Sequence, residues 1–531
     1  MKNQYLYLPA LLLALLFTNV ARAQYPEWND PNSLPIWMTP EEELRRHEIG
    51  LDFVPTSIPP GEIHNIAEHE RMQAALIRYP LGIPLNLVAA MSQHVKVITL
   101  VSSTTVQNQA INSYQSAGVN MANCQFLIAP TDSYWTRDYG PWFITTGENQ
   151  VAIVDFPYDR PRPNDNQVPS KVAAFLNIPL YAMNVVHTGG NYMTDGWGIS
   201  ASTDLVYEEN NNNVSWVNQQ MHDYLGIDTY HVTLDPLGDY IKHIDCWGKF
   251  LDVDKIIITE VPVSNPRYQY FEQVANYFAN QISAYGTPFQ VYRVYSPNGQ
   301  PYTNSLILNH RVYVPITGSS NDAAAIAKYQ EAMPGYEVLG FTGSWLTTDA
   351  LHCRVKDIAD IGMLYIKHMP IVGEQEYQPF FEISAEMIPY SGSPLYTDSL
   401  FVIYKKNMGS FDTIPLVHHQ NNTYKALIPA SPDDNTISYY LSAADQSGRR
   451  ETFPFIGAAG ARSFTVVQTI IPGDSNCDGV INLFDVIAIS NYLIGFNPEP
   501  FCFENADING DGIINIQDLI DAVNLILSKT D

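Results

Sequence analysis

From Trp28 to about Val372 the chain alternates two kinds of apolar pattern. Short runs rich in β-branched residues, Val95–Val101, Val151–Phe156, Lys255–Thr259 and Arg311–Ile316, predict strands. Longer stretches with helical apolar spacing, His69–Ile77, Tyr268–Ile282 and Asp322–Met333, predict helices. Such mixing indicates a large α/β or α+β domain. From roughly Gly373 to Val467 the texture changes to short half-apolar runs, Ser399–Tyr404, Thr423–Ile428 and Ile437–Ala443. Turn clusters separate them at Ser391-Gly392-Ser393-Pro394, Pro432-Asp433-Asp434-Asn435 and Gln446-Ser447-Gly448. Strands and turns at that spacing predict a β-sandwich of the immunoglobulin type.

The end of the chain is a duplication. A twelve-residue segment from Asp474 to Asp485 recurs 33 residues later from Asp507 to Asp518, and each copy is followed by a helical apolar pattern, through Ile494 and Leu527. Positions 1, 3, 5, 9 and 12 carry oxygen side chains: Asp474, Asn476, Asp478, Asn482 and Asp485, then Asp507, Asn509, Asp511, Asn515 and Asp518. Position 6 is Gly479 or Gly512, which permits the sharp turn that points the carbonyl of Val480 or Ile513 inward at position 7. Two such loops imply two Ca²⁺ ions.

Composition agrees. Of 531 residues, 46% are hydrophobic and 16% charged, a globular balance, and Lys+Arg 28 against Asp+Glu 55 leaves a net charge of −27. A polyanion repels nucleic acid and anionic membranes and favours a cation or a cationic substrate. Residues 470–531 hold ten acidic side chains against Lys529 alone, which two bound cations would offset. At the other end, Lys2, the apolar run Leu6–Phe17 and Ala21-Arg22-Ala23 predict a secretory signal over residues 1–23. The run is too short for a bilayer that needs about 20 apolar residues, so the protein is expected to be secreted or held at the cell surface, with no transmembrane segment. The domains expected are 24–372, 373–468 and 469–531. Cys124, Cys246, Cys353, Cys477 and Cys502 are odd in number, so at least one thiol stays free. Cys477 and Cys502 flank the first loop unit and stand equally as a disulfide or as two thiols.

Four segments carry more polar chemistry than packing requires: Tyr134-Trp135-Thr136-Arg137-Asp138-Tyr139-Gly140-Pro141-Trp142, His187-Thr188-Gly189-Gly190-Asn191, His243-Ile244-Asp245-Cys246-Trp247 and Asp349-Ala350-Leu351-His352-Cys353-Arg354. On a strand, His243 and Asp245 would point the same way and share one ligand. A thiol added to an acid/base and a carboxylate is the minimum for covalent attack on a carbon bearing nitrogen leaving groups.

These motifs, in this order, resemble the guanidino-group-modifying enzymes, which include agmatine, arginine and peptidylarginine deiminases. Across roughly residues 28–468 the resemblance is greatest to secreted bacterial peptidylarginine deiminases of the Porphyromonas type, which carry an immunoglobulin-like domain behind the catalytic one. It implies a five-bladed pentein-type α/β propeller with the site on its axis. It also implies Cys353 as nucleophile, His243 as general acid/base, Asp138 and Asp245 as guanidinium ligands, Asn304 as the active-site asparagine, and Trp135 and Tyr240 as pocket walls. The expected chemistry needs no cofactor: a thiolate attacks the guanidinium carbon, an imidazolium protonates the departing ammonia, and water releases peptidylcitrulline. Arg160 and Arg162 match a pair that binds the α-carboxylate of a C-terminal arginine, and Thr188 stands where agmatine deiminases carry Glu. Agmatine or free-arginine deimination is the second reading, and an inactive adhesive module the third. A papain-like protease is excluded by the order His243, Asn304, Cys353.

The duplicated loops, with Asp at position 12, resemble a type I dockerin, a small helical module. A cohesin-bearing scaffold is the partner implied, although positions 10 and 11 are Leu483-Phe484 and Ile516-Gln517, not the Ser/Thr pair of well-known cellulosomal dockerins.

Overall fold

The computed structural model describes residues 34–431, 434–467 and 470–528. The expected signal over 1–23, the turn residues Pro432 and Asp433, and Lys529 lie outside the described residues.

One unit of structure occurs five times in the first part of the chain. A short polar turn leads into a strand, which runs antiparallel to the next; a helix follows, and a third strand returns parallel to the second. The opening strands are Trp142–Thr146, Met193–Thr194, Gly248–Asp252, Leu306–Leu308 and Lys356–Ala359. Their antiparallel neighbours are Gln150–Asp155, Ile199–Thr203, Lys255–Glu260, Arg311–Ile316 and Met72–Arg78. The parallel strands are Leu180–Ala182, Thr229–Thr233, Gln290–Tyr295, Glu337–Thr342 and Lys96–Val101. Helices Val168–Leu176, Val214–Leu225, Tyr268–Ala279, Asp322–Ala332 and Leu85–Ser92 make the connections. The fifth sheet therefore joins the chain's early strands to the last strand of the region.

The strands expected at Val95–Val101, Val151–Phe156, Lys255–Thr259 and Arg311–Ile316 and the helix from Asp322 are present within a residue or so, and the helix from Tyr268 ends at Ala279, short of Ile282. The helix expected over His69–Ile77 is not: Met72–Arg78 is a strand. Its residues Ala74, Ala75, Leu76 and Ile77 are buried on both faces between Lys356–Ala359 and Lys96–Val101. A strand buried on both sides shows no alternation, so its apolar run mimics a helix.

Beyond it, two sheets share one core. The first orders Leu364–Lys367, Phe380–Pro389, Thr423–Pro429 and Val417–Gln420; the second contains Glu374–Glu376, Arg462–Val467, Thr436–Ala444, Phe401–Lys406 and Asp412–Pro415. Phe381, Ile383, Met387 and Ile428 of one meet Val402, Tyr439, Leu441 and Phe464 of the other. Leu364–Lys367 lies upstream of Gly373, so this sheet begins earlier than the change of texture in the sequence. The sandwich is pinned to the first region by charge: Arg462 reaches Asp252 (2.9 Å) and Asp254 (3.2 Å), Arg449 reaches Asp360 (2.6 Å) and Arg71 reaches Glu451 (2.8 Å).

The last segment holds helices Leu483–Leu493 and Ile516–Ser528 with the short turn of helix Phe503–Ala506. Cys477 and Cys502 are joined as a disulfide. Cys124, Cys246 and Cys353 are free. Among the described residues no helix is long and apolar enough to cross a membrane.

Candidate active site

Polar residues converge from the turns that precede the opening strands. Asp138 comes from the first, Gly189–Asn191 from the second, His243 to Cys246 from the third, Asn304 from the fourth and Cys353 from the fifth. His243 and Asp245 do not lie on a strand as the sequence suggested. His243 is extended, and Ile244–Cys246 forms a 3-10 turn ahead of Gly248–Asp252. The two still lie in one buried cluster: His243 faces Asp138 (Nδ1 to Oδ1, 3.6 Å), Asp138 feels the charge of Asp245, and Asp245 Oδ2 lies 3.6 Å from Cys353 Sγ.

Asn304 organises the turn that carries Cys353. Its Nδ2 donates to Cys353 Sγ at 3.2 Å, and its Oδ1 accepts the backbone N–H groups of His352 (2.9 Å) and Cys353 (3.3 Å). The glycine pair is equally constrained. A Cβ on Gly190 would stand 2.6 Å from both Asp138 Oδ1 and His243 Nδ1, and one on Gly189 would stand 2.0 Å from the Arg137 carbonyl oxygen. Any side chain there would fill the space beside the acid and the imidazole.

All these groups are buried, and burial sets their ionisation. Burial, reinforced by the charges of Asp245 and Asp138, pushes the Cys353 thiol up to about 11. Burial and the charge of Asp245 also hold the Asp138 carboxyl well above its usual range, and burial lowers the His243 imidazole. Asp245 goes the other way: burial would raise it, but the hydrogen bond and charge of His352 keep it low. Burial thus disfavours charge on the Cys353 thiol, the Asp138 carboxyl and the His243 imidazole, while His352 favours the ionised form of Asp245. Asp138 Oδ1 and His243 Nε2 are buried without a hydrogen-bond partner, a state that a cationic, donor-rich ligand would relieve.

Arg160 and Arg162 are buried and engaged. Arg160 pairs with Asp159 and stacks 5.8 Å from the ring of Tyr240; Arg162 lies 5.4 Å from the ring of Trp135. Residues 34–48 cover Arg162, and Glu43 holds Tyr240, whose ring lies beside Arg160. Thr39-Pro40-Glu41-Glu42 is a capping box with proline in the first turn, so helix Pro40–Leu44 forms and presents Glu42 inward. Glu42 Oε1 accepts from Arg162 Nε at 2.7 Å, and the Pro35 carbonyl accepts from Arg162 Nη2 at 2.9 Å. Tyr240 donates to Glu43 (2.9 Å), and Ile36 packs with Trp135, Ile241 and Cys353.

Sequence reasoning gave no role to Glu42, Glu68, Cys246 or His352. His352 was visible beside Cys353, but nothing in the sequence ties it to its partners Asp245 and Glu68, 107 and 284 residues away.

In the tail, both loops repeat one set of contacts. Asp474 and Asp507 at position 1 accept from the backbone at positions 5 and 6, and Asp485 and Asp518 at position 12 accept from the backbone of positions 3 and 9. Gly479 and Gly512 at position 6 both have φ of +79°, a conformation open to glycine. Asp485 and Asp518 are buried with no Lys or Arg between residues 470 and 528. An all-oxygen, anionic donor set of this spacing fits a hard divalent cation.

A model of the Porphyromonas-type peptidyl-arginine deiminase family matches residues 65–357, more than half of the chain, and a model of the dockerin type I domain matches residues 472–524. A Legionella pneumophila protein assigned as an agmatine deiminase is 25% identical over 239 residues, 41% of this chain and 69% of that protein. The solved agmatine deiminase of Enterococcus faecalis superposes with a TM-score of 0.51 at 17% identity, covering 57% of this chain and 99% of that one. A Porphyromonas gingivalis structure assigned as an arginine deiminase gives 0.50 at 19% identity, over 56% of this chain and 98% of that one. The fold is thus the mixed α/β pentein fold of the deiminases that modify guanidino groups. The chain belongs to the Porphyromonas-type peptidyl-arginine deiminase family, and it carries a type I dockerin domain.

Proposed function

We propose that this protein deiminates peptidylarginine, with a preference for C-terminal arginine, to peptidylcitrulline and ammonia. The observation that carries the reading is the clustering of buried Cys353, Asn304, Asp245, Asp138 and His243, with Asn304 and Asp245 at the thiol and Asp138 at the imidazole. Asp138 and Asp245 hold the guanidinium, whose planar N–H donors suit two carboxylates. Its positive charge, set beside Cys353, favours the thiolate; the thiol proton passes to His243. The thiolate adds to the guanidinium carbon, His243 returns the proton to the departing ammonia, and the resulting thiouronium is hydrolysed by a water that His243 deprotonates. Trp135 and Tyr240 wall the pocket, and Arg160 and Arg162 receive the α-carboxylate. Two buried arginine nitrogens without partners, Arg160 Nε and Arg162 Nη1, support that receptor.

Five repeats of the sheet unit support a five-bladed propeller with the site on its axis, and the two-sheet core supports an immunoglobulin-like sandwich. Domain limits near residues 372 and 469 follow, with the linking strand Leu364–Lys367 contributed to the sandwich. The dockerin loops hold two Ca²⁺ through Asp474, Asn476, Asp478, Val480, Asn482 and Asp485 and their counterparts Asp507 to Asp518. The apolar residues Leu483, Phe484 and Ile516, each more than 60% exposed, suit a cohesin-type partner outside the cell.

The names of the relatives favour a second reading, agmatine deimination. Assaying ureido product from agmatine, free arginine, and peptides with internal or C-terminal arginine separates the two. Turnover confined to agmatine would overturn the peptide reading.

A further inference from the structure

Behind Asp245 lies a chain of buried charges that the deimination chemistry does not use. His352 Nδ1 lies 2.7 Å from Asp245 Oδ2, and His352 Nε2 lies 2.6 Å from Glu68 Oε2. Glu68 in turn meets Lys249 at 3.0 Å and Arg137 at 3.4 Å, and accepts the Ile307 N–H at 2.7 Å. Arg137 continues to Asp357 (2.6 Å), and Asp357 to Lys356 (2.7 Å). Glu68, Arg137, Asp245, Lys249, His352, Lys356 and Asp357 line one cavity.

We infer that His352, anchored by Glu68, is a positioning residue for the deimination reaction, a charged clamp that fixes one oxygen of Asp245 and keeps the other for the guanidinium. Both ring nitrogens face carboxylate oxygens at hydrogen-bond distance. An ionised carboxylate only accepts, so the ring must donate twice, which an imidazolium alone can do. The alternative, a proton on one carboxyl, is opposed by the surroundings. Burial would raise Glu68, yet Lys249, His352 and Arg137 hold it well below its usual range, and His352 does the same for Asp245. The groups facing the ring are thus Asp245 and Glu68, with Arg137 Nε against the His352 carbonyl at 3.5 Å and Lys249, Asp357 and Lys356 behind. Asp245 Oδ1 has the weak donor Cys246 Sγ at 3.5 Å, a contact that a guanidinium N–H readily replaces.

The clamp also explains why the two guanidinium ligands differ. Asp245 is pinned by a cation and stays ionised. Asp138 has no such clamp, and burial with the charge of Asp245 raises its carboxyl.

This inference rests on the deimination reading, and its test separates the two. The full chain would be prepared as wild type, His352→Gln, Glu68→Gln and the double variant, with thermal midpoints measured to confirm folding. Profiles of kcat/KM against pH would be recorded with a C-terminal arginine peptide. Without the cation the Asp245 carboxyl rises, so the acid limb of His352→Gln should move to higher pH by about a unit, with KM raised about tenfold or more and kcat changed less. Effects of the two substitutions should be strongly non-additive, because they break one chain. A His352→Gln variant with wild-type KM and acid limb would overturn the inference, as would simple additivity. The second measurement needs no activity: ¹⁵N spectra of the His352 ring should show both nitrogens protonated at pH 7 in the wild type and a neutral ring in Glu68→Gln. A neutral ring in the wild type overturns the clamp even if the enzyme turns over. Absent deimination of every arginine substrate with a doubly protonated ring would instead overturn the function.

Discussion

Glu42 and Arg162 share a buried ion pair, Oε1 to Nε at 2.7 Å, across 120 residues of chain. The carboxylate sits on the side chain proposed to receive the substrate's α-carboxylate, and Ile36 from the same segment packs beside Cys353. Burial would raise the Glu42 carboxyl, but its hydrogen bond and charge pairing with Arg162 hold it low, so the pair stays charged near neutrality. Glu42→Ala should therefore lower KM for C-terminal arginine peptides, by about fivefold or more given roughly 1–3 kcal/mol for such a contact. Steady-state kinetics decide: an unchanged or higher KM would mean that substrate reaches Cys353 without displacing Glu42.

The arginine pair should set selectivity. A peptide ending in a free carboxylate should exceed its C-terminally amidated form in kcat/KM by about tenfold or more, and Arg160→Ala or Arg162→Ala should flatten that ratio. Equal values for the two peptides in the unmutated enzyme would return both arginines to a purely structural role.

Cys353→Ala should abolish ureido formation, by several orders of magnitude, while titration calorimetry still detects the arginine peptide, since Asp138 and Asp245 carry the grip. Residual turnover above a percent or so would mean that another group is the nucleophile.

Cys353 has its thiol raised to about 11, so it is protonated below that pH and ionised above it. Alkylation of the substrate-free enzyme by iodoacetamide should accordingly be slow at pH 7 and accelerate as pH rises toward about 11, followed by mass spectrometry of the Cys353 peptide. A rate plateau reached by pH 8 would place a thiolate in the free enzyme and remove the need for the substrate's charge to generate it.

Chelation should act on the tail alone. With its cations removed, the carboxylates of Asp474, Asp478, Asp485, Asp507, Asp511 and Asp518 repel one another, and residues 472–528 should lose protection in hydrogen exchange while deimination continues. Loss of activity in EDTA would reveal a cation requirement in the first region.

Much of this was legible in the chain, for identifiable reasons. Arg311–Ile316 reads as a strand because its apolar run is short and β-branched, and Asp474 to Asp485 reads as a loop because each ligand position has its own side-chain requirement. Asp138, Asp245, Asn304 and Cys353 are recognisable because each lies in a local motif. Met72–Arg78 misleads because burial on both faces erases the period of a strand. Glu42 and Glu68 are invisible for a different reason: nothing near them in sequence reports a partner 120 or 284 residues distant. The fivefold unit escapes notice because what repeats is backbone pairing, while the loops and side chains differ.

The pairing of Lys356–Ala359 with Met72–Arg78 has a temporal meaning. Cys353 stands three residues ahead of the strand that completes the last sheet, so it is the final member of the candidate site to leave the ribosome. A nascent or truncated chain ending before Ala359 lacks the strand that pairs with Met72–Arg78 and anchors the turn bearing Cys353. If the deimination proposed above holds, a chain of that length would have no closing strand to fix its thiol beside the carboxylates, and activity would wait on completion of the fifth sheet.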